Sequence, residues 1–477
     1  MPLHGIGHTR RMDAAAGVAE TATAVASGEV SAAAVTSAAL DRIAARDRAL
    51  NAFTVVLDAA ARAEAAAVDE ALADGATAGP LAGVPIAIKE ELAVAGTVTT
   101  FGGRGNTTPA GTDSEVVRRL RAAGAVIVGK TTMPEFGAWP FTESRAHGIT
   151  RNPWDADRTP GGSSGGTASA VAAGLVPVAI GGDGGGSIRI PSACCGLFGL
   201  KPQRGRVTSA PEPHLWWSLG TCGPLARSVL DAALVYDVIR GSTTGDLFQA
   251  GETGSFVEAA GREPGRLRIG WSLKPVARGV TPDPIDVAAV RDTARLLADL
   301  GHDVREIDPH YPDPTAAFVP QFFAGIRSEA DAVEHFDRLE RTTRQTYRMG
   351  SWVTPKVRDW AIRQGGAIAV KANRVFDAVD VLLTPTLGTR PPRVGQLDGR
   401  LFGAGTLAMS LRSMPMIAYA ALWNVAGNPA AAVPVGIGPD GLPLSVQFVG
   451  PTDGEPLLLS LSAQIEAAQP WQKLAPV

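Results

Sequence analysis

Cysteine is scarce in this chain. Of 477 residues only three are cysteines, Cys194, Cys195 and Cys222. Three cannot build a disulfide framework, and adjacent cysteines rarely bridge because the ring that they close is strained. Their spacing does not suit zinc, so no metal is expected and all three read as small buried apolar groups. Long apolar runs are missing too. The most apolar stretches, such as 168–178, run to about ten residues, whereas a membrane span needs about twenty. The opening MPLHGIGHTRR has no apolar block of the kind a secretory signal carries. The expectation is a soluble cytoplasmic protein. Nor does charge of one sign dominate: 44 basic residues face 47 acidic ones, for a net charge of −3. That balance removes the basic bias of a nucleic-acid binder. An apolar share of 45% removes the low hydrophobicity of a disordered chain.

What is present is alternation. Residues 13–72 are alanine-rich with scattered charge and read as two or three amphipathic helices, with Ser31 as an N-cap. GPLAGVPIAIK (79–89) breaks at Gly79 and Pro80 and then offers VPIAI as a short apolar strand ending at Lys89. A helix at 113–123, a strand at 125–128, a helix at 167–175 and a strand at 177–183 follow. The Gly-rich, polar stretch 240–275 reads as a surface excursion, and 276–383 returns to a helical pattern. VLLTPT (381–386) and LPLSVQFVG (442–450) read as strands, and 456–468 as a closing helix. Alternating strands and helices point to an α/β fold with a sheet covered on both faces. No linker divides the chain, so 1–477 is expected to form one domain.

Three glycine-rich segments compete for the chemistry. GAVIVGKT (124–131) matches the phosphate-loop pattern, but its four intervening residues are a strand-like apolar run where a loop is required. GGSSGG (161–166) satisfies the G-x-S-x-G pattern around Ser163 or Ser164, but polar RNPWDADRTP precedes it instead of a strand. The downstream histidines His214, His302, His310 and His335 lie in no persuasive loop. GGDGGGSIRIPS (181–192) directly follows an apolar strand. Its glycines allow backbone N–H groups to converge as an oxyanion hole before Ser187, and a flexible turn is the competing reading.

Together these segments resemble the amidase signature family. GVPIAIK (83–89), GKTTMPEFG (129–137), RNPWD (151–155), PGGSSGG (160–166), GGDGGGSIRIPSACCGLFGLKPQRGRV (181–207) and GPLARSV (223–229) follow one another in that family's order. VLLTPT, AGNPAAAVPVG (426–436) and DGLPLSVQFVGP (440–451) continue it. The core motifs fall in 79–230 and 376–468; about 240–375 and 387–420 match poorly. The resemblance implies a large mixed sheet in a single domain and a Ser–cis-Ser–Lys triad. Carried over by motif, Ser187 is the nucleophile, Ser163 the bridging serine after a cis peptide, and Lys89 the base. The oxyanion donors fall on the N–H groups of Gly184, Gly185, Gly186 and Ser187, with Ser164, Asp183 and Arg189 as structural support. No cofactor or metal is implied.

The chemistry is coherent. A serine hydroxyl needs a base, and lysine serves only when neutral. Glu90 and Glu91 follow Lys89; strand alternation turns Glu90 away and leaves Glu91 as the carboxylate to watch. One departure concerns the loop. The family usually reads G-[ST]-D-x-G-G-S, but here Gly182 replaces the hydroxyl residue and Gly184 adds a glycine, so a looser oxyanion loop is expected. A second is Ile190, where the family's glutaminase subunits of tRNA-dependent amidotransferases carry glutamine after the arginine; the resemblance therefore favours a free-standing amidase. Gly137, Trp139, Trp216, Trp217 and Met409, with Met414 and Met416 nearby, are candidate substrate-lining residues. The expected substrate is a neutral aryl or alkyl amide. Carbamates (urethanes), hydrazides and esters present the same kind of carbonyl. The alternatives are a glutaminase of an amidotransferase complex and a nucleotide-binding protein. A monomer or homodimer is expected.

Overall fold

The computed structural model describes residues 13–397 and 405–476. In chain order its strands are β1 (Phe53–Val56), β2 (Pro85–Lys89), β3 (Val126–Thr131), β4 (Glu143–Ser144), β5 (Gly148–Ile149), β6 (Val178–Gly182), β7 (Phe198–Lys201), β8 (Cys222–Ala226), β9 (Arg268–Trp271), β10 (Asp303–Glu306), β11 (Val381–Pro385), β12 (Ala430–Ile437) and β13 (Pro443–Val449). β4 and β5 make a small ribbon. The other eleven form one sheet in the order β1-β3-β2-β6-β8-β7-β12-β13-β11-β9-β10. The sheet is mixed: β2 runs parallel to β3 and β6, whereas β6 to β8 and β12 to β13 are antiparallel.

Strand alternation explains how the layers form. In β2, Ile86 and Ile88 enter one apolar cluster together with Val178 and Ile180 of β6 and residues of the helix Val229–Ile239. Ala87 and Ala179 enter the other, with Ala168, Val171 and Ala172 of the helix Gly165–Ala172. Large side chains thus face one layer and alanines the other. The small residues let the second helix approach the sheet closely. Lys89 follows Ala87 by two residues, so its side chain shares the face of that close helix. The segment 161–166 leads into the same helix. β2 and β6 are parallel and neighbouring, so their carboxyl ends open side by side, which is where open α/β sheets place their ligands.

Several expected elements form as read. Ser31 caps the helix Ala32–Leu50, accepting from the Ala34 N–H at 3.1 Å. The helix Glu455–Ala468 closes the chain. Three differences stand out. Stretch 240–275 is not wholly a surface excursion, because β9 lies within it and pairs with β11 and β10, burying Ile269. β10 sits inside the region read as helical; it is an edge strand with mostly exposed side chains and lacks an apolar signature. The phosphate-loop pattern at 124–131 forms no loop. Val126–Thr131 is a fully buried strand, and Lys130 pairs with Glu90 at 3.3 Å and donates to the Val98 carbonyl oxygen. Among the described residues no helix is long and apolar enough to cross a membrane. All three cysteines are free and buried.

The glycines of GGSSGG are set by contact. A β-carbon on Gly166 would stand 2.3 Å from Thr132 Oγ1 and 2.5 Å from the Ala52 carbonyl oxygen. Gly166→Ala should therefore push the helix Gly165–Ala172 off the sheet, at a cost of about 1–3 kcal/mol or more. Thermal unfolding should report a midpoint several degrees lower; an unchanged midpoint would mean that the layers are not packed this closely.

Candidate active site

The carboxyl end of β2 delivers Lys89 into the interior with 1% of its side chain exposed. Its Nζ donates to Ser163 Oγ at 2.9 Å. Ser163 follows a cis Gly162–Ser163 peptide bond, the geometry that the family resemblance implies. Gly137, at φ +65°, lies against this hydroxyl: a β-carbon there would be 3.0 Å from Ser163 Oγ. Ser164 is fully buried, and its hydroxyl donates to the Gly182 carbonyl oxygen at 3.1 Å, tying the segment to the end of β6. No strand precedes Ser163, so the G-x-S-x-G reading lacks its structural context. His214 stacks on Trp217 and His302 bonds Gln464, so neither accompanies the serines.

β6 ends at Gly182, and the chain turns through Gly184, Gly185 and Gly186 to Ser187 before the short helix Arg189–Cys195. Asp183 and Arg189 brace this turn. The Asp183 carboxylate accepts from the N–H groups of Gly186 at 2.7 Å and Ile188 at 3.2 Å, and from Arg189 Nε at 3.0 Å. Arg189 reaches on to Asn424 Oδ1 at 2.6 Å and Gln447 Oε1 at 2.9 Å. Burial by itself would raise the Asp183 carboxyl, but the Arg189 guanidinium outweighs it and holds the group well below the usual carboxylate range. The Gly186 N–H is thus committed to Asp183. The N–H groups of Gly184, Gly185 and Ser187 are the ones free of such a bond among the described residues. Two of its glycines are in close contact with aromatic rings. A β-carbon on Gly184 would meet Trp216 Cε3 at 2.8 Å, and one on Gly185 would meet Phe318 Cζ at 3.2 Å. A side chain at Gly184 would have to displace the Trp216 ring, and one at Gly185 would press on Phe318.

Trp216 and Trp217 line a cavity of about 400 Å³ that also meets Glu91, Phe101, His214 and Glu329. Both tryptophans sit at positive φ, and Trp216 Nε1 donates to Glu329 Oε1 at 2.9 Å. Burial first, and then the charge of Glu91, push the Glu329 carboxyl well above its ordinary range. Trp139 and Met409 do not line that cavity. Trp139 stacks on Phe141, and both Trp139 and Met409 belong to the apolar cluster that includes Ile190 and Met416. Sequence reasoning missed Phe318, Glu329, Asn424 and Gln447. Phe318 and Glu329 belong to a helix in the poorly matched segment, Thr315–Ala332, where no motif marks them.

Two predictions follow from burial. Asp183→Asn would leave the Arg189 guanidinium buried without its anion, at about 3–5 kcal/mol; denaturant melts should show a loss of that order together with loss of activity. Glu135, two residues before Gly137, is 3% exposed, and burial raises its carboxyl from 4.5 to about 7. The folded state therefore binds a proton that the unfolded state releases between those values. The associated stability, ~3 kcal/mol, is present below pH 4.5 and is lost as pH rises through 7. In Glu135→Gln that part of the pH dependence of stability should vanish; an unchanged profile would refute the assignment.

The comparisons with known proteins agree with this geometry. The family model described as Amidase matches residues 34–459. The chain is 48% identical over 468 residues to the AmiB2 protein of Mycobacterium tuberculosis, described as a putative amidase, covering 97% of this chain and 98% of that one. The solved structure of 6-aminohexanoate cyclic dimer hydrolase complexed with substrate superposes with a TM-score of 0.90 at 33% identity, covering 98% of this chain and 99% of that one. A weaker likeness, 26% identity with a TM-score of 0.79 over 98% of both chains, relates it to a component of the glutamyl-tRNA(Gln) amidotransferase of Thermotoga maritima. With its sheet order, its serine–lysine contact and its glycine turn all in place, this chain belongs to the amidase family of hydrolases and is distinct from the amidotransferase component.

Proposed function

We propose that this hydrolase cleaves the C–N bond of small neutral amides through an acyl-enzyme on Ser187. The carrying observation is the buried Lys89 Nζ held 2.9 Å from Ser163 Oγ. Lys89 takes the Ser163 proton while Ser163 takes that of Ser187. Ser187 attacks the carbonyl carbon, and the carbonyl oxygen becomes an anion facing the N–H groups of Gly184, Gly185 and Ser187. Ser163 then passes a proton to the departing amine, and water cleaves the ester by the same relay. Ser163 and Ser187 are not bonded to each other among the described contacts; catalytic hydrogen bonds commonly tighten only in the substrate complex.

The aryl or alkyl preference is supported by Trp216, which lies against Gly184 of the turn and also walls the cavity, although Lys89, Ser163 and Ser187 do not line that cavity. The similar protein named as a cyclic-dimer hydrolase supports the extension to cyclic amides. Carbamates, hydrazides and esters offer the same carbonyl with a heteroatom leaving group and belong in the same substrate screen.

A fluorophosphonate probe followed by peptide mapping should label Ser187 alone. Ser187→Ala should abolish both labelling and amide hydrolysis, and Lys89→Ala should slow both by about 10²–10⁴-fold, the usual worth of a general base. Label on Ser163 or Ser164, or an active Ser187→Ala protein, would overturn the reading.

A further inference from the structure

Lys89 has a second partner besides Ser163. Glu91 Oε2 lies 3.0 Å from its Nζ, and the Glu91 and Lys89 side chains are 8% and 1% exposed. Glu90 takes no part: it pairs with Lys130 at 3.3 Å and accepts from Thr54 Oγ1 at 2.6 Å. The other oxygen of Glu91, Oε1, is buried with no hydrogen-bond partner among the described residues. It rests against Gly182, where a β-carbon would come within 1.9 Å of it. No side chain at residue 182 is compatible with this carboxylate position. The signature motif usually carries serine or threonine there. The unusual glycine and the buried carboxylate are therefore two halves of one feature.

We propose that Glu91 is a positioning residue of the catalytic relay and that Gly182 is the residue that admits it, the pair replacing the hydroxyl side chain usual at that point of the motif. The inference rests on the relay described under Proposed function. When the Ser163 proton reaches Lys89, an ammonium ion forms in a buried setting. The Glu91 carboxylate, already in place, compensates that charge as it develops and fixes Nζ toward Ser163. A buried carboxylate behind the base of a serine–histidine–aspartate triad plays the same part. The proton goes from Ser187 to Ser163 to Lys89, and Glu91 contributes position to that path. The other ionisable groups coupled to Glu91 are Glu329, from the helix Thr315–Ala332, and the Cys222 thiol of β8. Both are driven toward their neutral forms by burial. Glu91 is the carboxylate that lies against Lys89 Nζ on this side, at 3.0 Å.

Two experiments test the pair, one kinetic and one independent of activity. Glu91→Gln keeps the shape and removes the charge. It should lower kcat for an amide, and the rate of Ser187 labelling by the fluorophosphonate probe, by roughly 10²-fold, with KM and the melting temperature little changed. Glu91→Asp should retain more activity than Glu91→Gln. Adding Gly182→Ser to Glu91→Ala should recover activity that Gly182→Ser removes when Glu91 is present. Wild-type rates in Glu91→Gln, or a loss seen only as a fall in melting temperature, would overturn the proposal. The second experiment is a crystal structure of Gly182→Ser, which should have Glu91 displaced from Lys89. A serine accommodated with the 3.0 Å pair intact would overturn the proposal even where Ser187 is confirmed as nucleophile. Absence of Ser187 labelling in the wild type would instead strike at the relay itself.

Discussion

The buried pair of Asp183 and Arg189 is the interaction on which the rest of this site depends. Neither side chain has measurable exposure, so each would carry a large desolvation cost without the other. Asp183 binds the backbone of the turn on one side, at Gly186 and Ile188. Arg189 binds Asn424 of the helix Ala421–Ala426 and Gln447 of β13 on the other. One ion pair therefore fastens the glycine turn before Ser187 to elements more than 230 residues away in sequence. The turn can hold its N–H groups outward because the carboxylate beneath it satisfies the ones that point inward.

Space is the second constraint, and glycine supplies it. In this site glycine signals contact more than flexibility. Gly137 makes room for the Ser163 hydroxyl, Gly184 for the Trp216 ring, Gly185 for Phe318, and Gly182 for the Glu91 carboxylate. A loop built this way leaves no space for side chains at these positions without moving a neighbour. The extra glycines at 182 and 184 suggested a looser loop when read against the motif alone. A sequence records that a side chain is missing but not which neighbour occupies the volume.

Burial sets the electrostatics around the relay. Lys89 reaches its place through a strand whose five residues are all buried, so its contacts with Ser163 and Glu91 are shielded from water. At that depth Coulomb terms are worth several times their surface value. Burial likewise pushes the Glu329 carboxyl well above its ordinary range beside the Trp216 indole.

Much of this was determined by the sequence itself. The order of motifs from GVPIAIK to DGLPLSVQFVGP specifies the family, and the apolar run before Lys89 specifies a buried strand. Glu90 turns away from Lys89 and Glu91 stays near it, as expected, but the cause is a turn closed by the Leu92 N–H on the Lys89 carbonyl oxygen, because β2 ends at Lys89. These features are local, carried by adjacent residues. Other features were settled only in three dimensions. β9 and β10 join the sheet through pairing with distant strands, although β10 is polar and largely exposed. Trp139 and Met409 entered the apolar core, while Glu329 and Phe318 came to the site from a helix without a motif. The pairing of Gly182 with Glu91 belongs to this second kind as well. It joins the ends of two parallel strands 91 residues apart in the chain, and its meaning lies in a distance that no spacing in the sequence encodes.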